Sequence, residues 1–129
     1  MPKQVLLDTN AAIARINGDQ VLEQFLKDAS EIFVPVIVLG ELYYGAENSV
    51  RVQENLEQVE SFRRNVFTLN WDVDTAHEFG RVVHEQRVKG QMIPDNDMWI
   101  AAIARQHNLT LITRDKHFDA VDDLTLESW

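Results

Sequence analysis

Short apolar runs alternate along this chain with stretches whose apolar residues recur every three to four positions, and two of those runs stop at an aspartate. Val5, Leu6 and Leu7 run into Asp8, and residues 109–113 are followed by Arg114 and Asp115. Runs too short for helices, separated by amphipathic helical segments, predict an α/β fold with a mostly parallel, four- or five-stranded sheet flanked by helices. Ligands of such sheets gather beyond the strand C-termini, at the point where the strand order reverses. Both aspartates are therefore expected at the edge where a site forms.

Strands are expected over residues 4–7, 31–34, 66–69, 109–113 and 124–126. The first helix should span residues 10–16 and stop near Asn17 and Gly18, and a second should carry Val21, Leu22, Phe25 and Leu26. Pro35 ends the second strand, and the apolar stretch that follows it reads as a buried helix in which Gly40 and Gly45 allow close backbone packing. Residues 51–64 form an amphipathic helix with a solvated charged face, and Val73, Ala76, Phe79, Gly80 and Val83 mark another. Pro94 breaks the chain before Asp97, which is expected to open a third apolar helix, and residues 114–118 read as a polar turn or short helix.

With 129 residues and 45% hydrophobic content, the chain suits one domain over residues 1–129. It has no cysteine, which excludes disulfides, zinc–thiolate sites, iron–sulfur clusters and thiol nucleophiles. The longest apolar run, residues 32–40, is interrupted by Pro35 and falls short of the roughly 20 residues a bilayer requires. The N-terminal residues lack the apolar core of a secretory signal, so a cytoplasmic protein without a membrane partner is expected. A net charge of −9 disfavours broad electrostatic binding of nucleic acid and suits a basic protein partner. It does not exclude a nuclease, because bound divalent cations reverse the local field that a substrate phosphate meets.

Two further acids stand at apolar boundaries: Glu41 within LGELYYGA, and Asp97 before MWIAAIA. Asp8, Glu41, Asp97 and Asp115 are candidates for one carboxylate cluster. Like charges in a dry cleft must bind protons or cations, and an all-oxygen donor set favours Mg²⁺, with Mn²⁺ as the alternative. Each acid also has a plain structural role open to it: Asp8 or Asp97 as a helix cap, Asp115 as a turn residue, Glu41 turned outward to solvent. Thr9 and Asn10 could support Asp8 through contacts to water, or simply start a helix. Asp95 competes with Asp97 at the same helix start. Arg114, with Lys116, Arg81, Arg87 and Lys89, could hold substrate phosphates or be ordinary surface charge. The four histidines show no zinc-like or acid/base spacing, and only His117 lies near a proposed ligand. Trp71, Trp99, Tyr43 and Tyr44 read as structural rather than as base-stacking residues.

LLDTN, LGELYYGA, IPDNDMWIAAIA and TLITRDKHF, in this order and across nearly the whole chain, resemble a PIN-domain ribonuclease, specifically a VapC-type toxin of a type II toxin–antitoxin system. The resemblance implies that Asp8, Glu41, Asp97 and Asp115 are catalytic, with Asp8 and Asp97 as metal ligands and Thr9 as an accompanying hydroxyl. It implies a homodimer, a cognate antitoxin that neutralises the toxin, and operator DNA bound through that complex. It also implies metal-dependent cleavage of structured RNA, foremost a tRNA anticodon stem-loop such as that of initiator tRNA, or else ribosomal RNA, so that translation stops.

Two other phosphate-handling folds fit less well. A receiver-like signalling module expects an acidic pair near the first strand and a lysine after a late one, whereas this chain offers Asp8 alone and Thr113-Arg114-Asp115. A haloacid-dehalogenase-like phosphatase needs a second aspartate two residues after its nucleophile, where this chain has Asn10. An inactive PIN fold acting as a protein-binding unit is the remaining alternative.

Overall fold

The computed structural model describes residues 3–129. Its elements are β1 (Lys3–Leu7), α1 (Thr9–Ile16), α2 (Gln20–Phe25), β2 (Ala29–Pro35), α3 (Val36–Glu47), α4 (Val52–Arg64), β3 (Phe67–Leu69), α5 (Val73–Lys89), α6 (Asp95–His107), β4 (Thr110–Ile112) and β5 (Thr125–Glu127). Short 3₁₀ segments at Leu26–Asp28 and Lys116–Ala120 lead into β2 and follow β4.

The five strands form one parallel sheet in the order β3-β2-β1-β4-β5. β1 is central, with Val5 opposite Ile32 on one side and Thr110 on the other. Val5, Leu6 and Leu7 have no solvent exposure, which is why this strand is uniformly apolar instead of alternating. The chain moves outward from β1 to β2 and β3, then crosses back to β4 and β5. Right-handed crossovers made in opposite directions put the helices after β3 on the opposite face of the sheet from those before it. In agreement, α1, α3 and α4 pack together while α5 lies along α6.

Local chemistry sets the boundaries. α1 is capped by the Asp8 side chain and closes at Asn17, after which Gly18 takes a left-handed φ of 72°. α5 opens with a capping box, Asp72 and Thr75 each accepting from the other's backbone N–H, and ends at Gly90 with φ 69°. Gly40 and Gly45 depart from expectation: a Cβ at either would meet nothing within 4 Å, so no neighbouring backbone needs them small. Asp97 does not open α6 either. The helix begins two residues earlier, because Pro94 has the extended conformation of an N-cap and Asp95 already lies in the first turn.

The core joins β1, β2 and β4 to the inner faces of the helices, with Leu22, Met98, Ile100, Ile103 and Phe118 among its larger members and Val38 and Val82 packed with them. Three aromatic rings stack across the α5–α6 boundary: Trp99 lies 3.7 Å from Phe79 and 4.7 Å from Trp71, centroid to centroid. These tryptophans are structural, as expected. Among the described residues no helix is long and apolar enough to cross a membrane.

Candidate metal centre

The reversal of strand order lies between β1 and β4, and both strands deliver polar side chains just past their ends. Asp8 is buried, with 3% exposure, and works first as the N-cap of α1: its Oδ1 accepts from the Ala11 N–H at 2.8 Å. Its Oδ2 accepts from the Thr113 hydroxyl at the end of β4, a link between residues 105 positions apart in sequence. Thr113 Oγ1 also accepts from the Asp115 N–H at 2.9 Å, so one hydroxyl orients both aspartates. The Asp115 Oδ1 in turn accepts from the His117 N–H at 2.9 Å and starts the short 3₁₀ segment.

Asp97 arrives from α6, in its first turn, where the helix dipole favours an anion. His117 Nδ1 lies 3.0 Å from Asp97 Oδ2 and 3.2 Å from Asp115 Oδ1. One donor atom from each of Asp97, Asp115 and His117 falls within 4.8 Å of the others. Asp8 joins the same electrostatic field. Burial raises its carboxyl pKa above the ordinary value, against the hydrogen bonds from Thr113 and Ala11, and the charges of Asp115 and Asp97 push it the same way. Asp97 is likewise raised, first by burial and further by Asp115, while the His117 contact opposes. Such a cleft binds protons or cations readily, since either relieves the crowding of negative charge.

The other sequence candidates take more peripheral positions. Glu41 is half-buried on α3, and its Oε1 accepts from Asn96 Nδ2 at 3.3 Å, which ties α3 to the first turn of α6. Thr9 and Asn10 are the first two residues of α1, beside Asp8. Asp95 is exposed at the start of α6. Arg114 is exposed but engaged: its Nε donates to the Trp129 carbonyl at 2.8 Å and its guanidinium lies 4.2 Å from the Trp129 ring. Sequence reasoning missed Thr113 and undervalued His117. The only signal for either was proximity to Asp115 along the chain.

Comparison with known proteins places the fold in a family. Residues 5–124 match the family model of the PIN domain. The chain is 34% identical to Ribonuclease VapC2 of Haemophilus influenzae over 127 residues, covering 96% of each protein. It is 31% identical, again with 96% of each covered, to the tRNA(fMet)-specific endonuclease VapC of Salmonella typhimurium. The DNA-bound VapBC crystal structure from Salmonella typhimurium contains a chain that superposes with a TM-score of 0.90 at 31% identity, covering 100% of this chain and 99% of that one. The ordered strands, the clustered aspartates and this full-length similarity agree: the chain belongs to the PIN-domain family, as a VapC-type ribonuclease toxin.

Proposed function

We propose that this protein is a Mg²⁺- or Mn²⁺-dependent endoribonuclease that cuts a structured RNA and thereby stops translation, with a tRNA anticodon stem-loop, that of initiator tRNA first, as its substrate. The observation that carries this reading is the convergence of Asp8, Asp97 and Asp115 at the strand-order reversal, with the pKa values of Asp8 and Asp97 raised first by burial and then by their acidic neighbours. The tRNA assignment rests on the name of the Salmonella typhimurium relative. Ribosomal RNA is the second candidate.

The donor set fits the cation: Asp97, Asp115 and His117 bring two carboxylates and an imidazole within 4.8 Å of one another, and the buried Asp8 lies in the field of both aspartates. Asp8 and Asp97 would hold it, with Asp115 and Glu41 completing the acidic site. A bound divalent cation there would polarise the scissile phosphate and favour ionisation of water. The chain's own residues do the remaining work. Thr113 and the N-terminus of α1 fix the Asp8 carboxylate so that it needs no reorganisation, and the first turn of α6 does the same for Asp97. A water held by the carboxylates attacks phosphorus in line and gives up its proton to one of them. Its oxygen forms the new P–O bond as the bond to the 3′-oxygen breaks, and the departing oxygen takes up a proton. Products then carry a 5′-phosphate and a 3′-hydroxyl.

A cognate antitoxin that neutralises the toxin and couples it to operator DNA accords with the VapBC complexes of relatives on DNA, one of them a promoter fragment, and the same reading takes the chain as a cytoplasmic homodimer with one domain, residues 1–129. The net charge of −9 suits a basic antitoxin segment. The test is to incubate antitoxin-free protein with total tRNA and ribosomal RNA in Mg²⁺, Mn²⁺ or EDTA, and to map the cut ends. A discrete cut bearing a 5′-phosphate, lost in EDTA and in Asp97→Asn, is expected. No cut with either metal would leave the inactive PIN fold as the better reading.

A further inference from the structure

We infer that His117 is a direct ligand of the catalytic cation and tilts this site toward Mn²⁺ over Mg²⁺. The inference rests on the proposed metal-dependent activity and extends it to the identity of the metal. The imidazole is not a bystander: Nδ1 points between two carboxylate oxygens, 3.0 Å from Asp97 and 3.2 Å from Asp115. Its backbone N–H is already committed to the Asp115 Oδ1 at 2.9 Å, so the 3₁₀ turn that begins at Asp115 fixes where the ring emerges. From that point the ring places its Nδ1 edge against both aspartates.

The three donor atoms lie within 4.8 Å of one another, a spread that small inward shifts onto a common centre would close. With the ring proton on Nε2, Nδ1 presents a lone pair and serves as a ligand. Half of the side chain is exposed, at 52%, which leaves Nε2 free to face water in that tautomer.

The donor chemistry sets the preference. Both ions favour oxygen, but Mg²⁺ is held through carboxylates and gives up its water reluctantly, whereas Mn²⁺ belongs to the first-row transition series whose ions bind mixed nitrogen and oxygen sites, so an imidazole among the carboxylates costs it less. A site built from carboxylates alone would discriminate little between the two ions. Adding one nitrogen separates them.

Pulsed electron paramagnetic resonance on the Mn²⁺-loaded protein reads the ligand directly, because a coordinated imidazole couples its ¹⁴N nucleus to the metal. Wild type is expected to show this coupling and His117→Ala and His117→Gln to lack it. Competition titration of Mn²⁺ against Mg²⁺ gives the second readout. The Mn²⁺ dissociation constant should rise at least about tenfold in both variants, the smallest loss that removal of even an outer-shell partner usually brings. The Mg²⁺ constant should change by less than half as much, so the selectivity ratio falls. Thermal melting confirms folding, which substitution of this exposed ring should not disturb. Bound Mn²⁺ without nitrogen coupling in wild type, or equal weakening of both metals, would overturn the assignment. RNA cleavage that persists without nitrogen coupling would remove His117 and leave the nuclease standing. Nitrogen-coupled Mn²⁺ with no cleavage would do the reverse.

Discussion

Gln86, fully buried in α5, donates one amide hydrogen to the carbonyl of Ala120 at 3.0 Å and the other to that of Gln91 at 2.8 Å. Gln91 lies in the loop that leads into α6 and so precedes Asp97, and Ala120 ends the 3₁₀ segment that carries His117. One side chain thus holds together the two segments that bring ligands from opposite sides of the site. Gln86→Met keeps the volume but leaves the Gln91 carbonyl without a side-chain donor and the Ala120 carbonyl with Lys89 alone. That should cost about 1–3 kcal/mol of stability, measured by denaturant unfolding. Cleavage by the folded fraction should also fall. Val82→Ala, buried in the same helix but without polar contacts, should lose stability without that loss of activity. If both variants lose activity alike, Gln86 acts through stability alone.

Arg105 performs a similar task between α5 and α6, away from the chemistry. Its NH1 and NH2 reach the two oxygens of Glu85 at 3.0 Å each, and its Nε reaches Glu78 at 3.0 Å, with the guanidinium side chain only 10% exposed. Removing it in Arg105→Ala leaves two half-buried carboxylates of α5 without their shared partner on α6, Glu85 without its fork and Glu78 with Arg81 alone. A loss of roughly 2–3 kcal/mol is expected from these charge-assisted bonds. Arg105→Lys should recover only part, since an ammonium cannot match the two-oxygen fork. A melting temperature unchanged in Arg105→Ala would contradict this account.

Much of this fold was readable from sequence because it rests on patterns that are local. The uniform apolar run before Asp8 belongs to a strand buried on both faces, and Gly18, Gly90 and Pro94 mark element ends through their own backbone preferences. Strand edges and the first residues of α1, α4 and α6 shifted by one or two positions. What stayed hidden was side-chain geometry across long sequence separations. Nothing in TLIT announces that the Thr113 hydroxyl will reach Asp8, and nothing in the polar run HEQR separates the buried Gln86 from its solvated neighbours. His117 was visible as a residue near Asp115, but its approach to Asp97 depends on where α6 packs against the 3₁₀ segment. Arg114 illustrates the converse, a plausible phosphate holder whose guanidinium the C-terminal tryptophan already covers.

Cation binding should stabilise the protein independently of any RNA. A ligand that binds only the folded state, present at about 100 times its dissociation constant, adds about 2.7 kcal/mol. Mn²⁺ is therefore expected to raise the melting temperature of wild type, and Asp97→Asn to abolish most of that rise. The same variant should lower cleavage at least about 100-fold, since loss of a mere outer-shell partner of a metal already costs about 10–100-fold. A full metal-induced shift in Asp97→Asn would remove Asp97 from the ligand set.

The metal-free protein should be most stable at mildly acidic pH, for reasons whose signs are opposite at different residues. Asp8 and Asp97 have folded pKa values raised by burial, so the native state holds their protons more tightly than the unfolded chain does. The stability linked to those protons is fully present below the unfolded carboxylate value and is lost as pH rises through the raised folded values. Glu85 runs the other way. Its hydrogen bonds from Arg105 lower its pKa, so that contribution is present above the unfolded glutamate value and is lost as pH falls through the lowered one. Lowering the pH from neutral should first stabilise the apo protein and then destabilise it. Asp8→Asn isolates the first limb. Asparagine is as good an N-cap as aspartate and its carbonyl can still accept from Ala11, so α1 keeps its start while the buried charge disappears. In that variant the neutral-pH melting temperature of the apo protein should match or exceed wild type, its gain on mild acidification should shrink, and cleavage should vanish. Melting curves from pH 7 down to 4 with EDTA present read this directly. An apo Asp8→Asn protein that melts lower than wild type at neutral pH would mean that the carboxylate of Asp8 is worth more as a structural anchor for Thr113 than it costs as a buried charge.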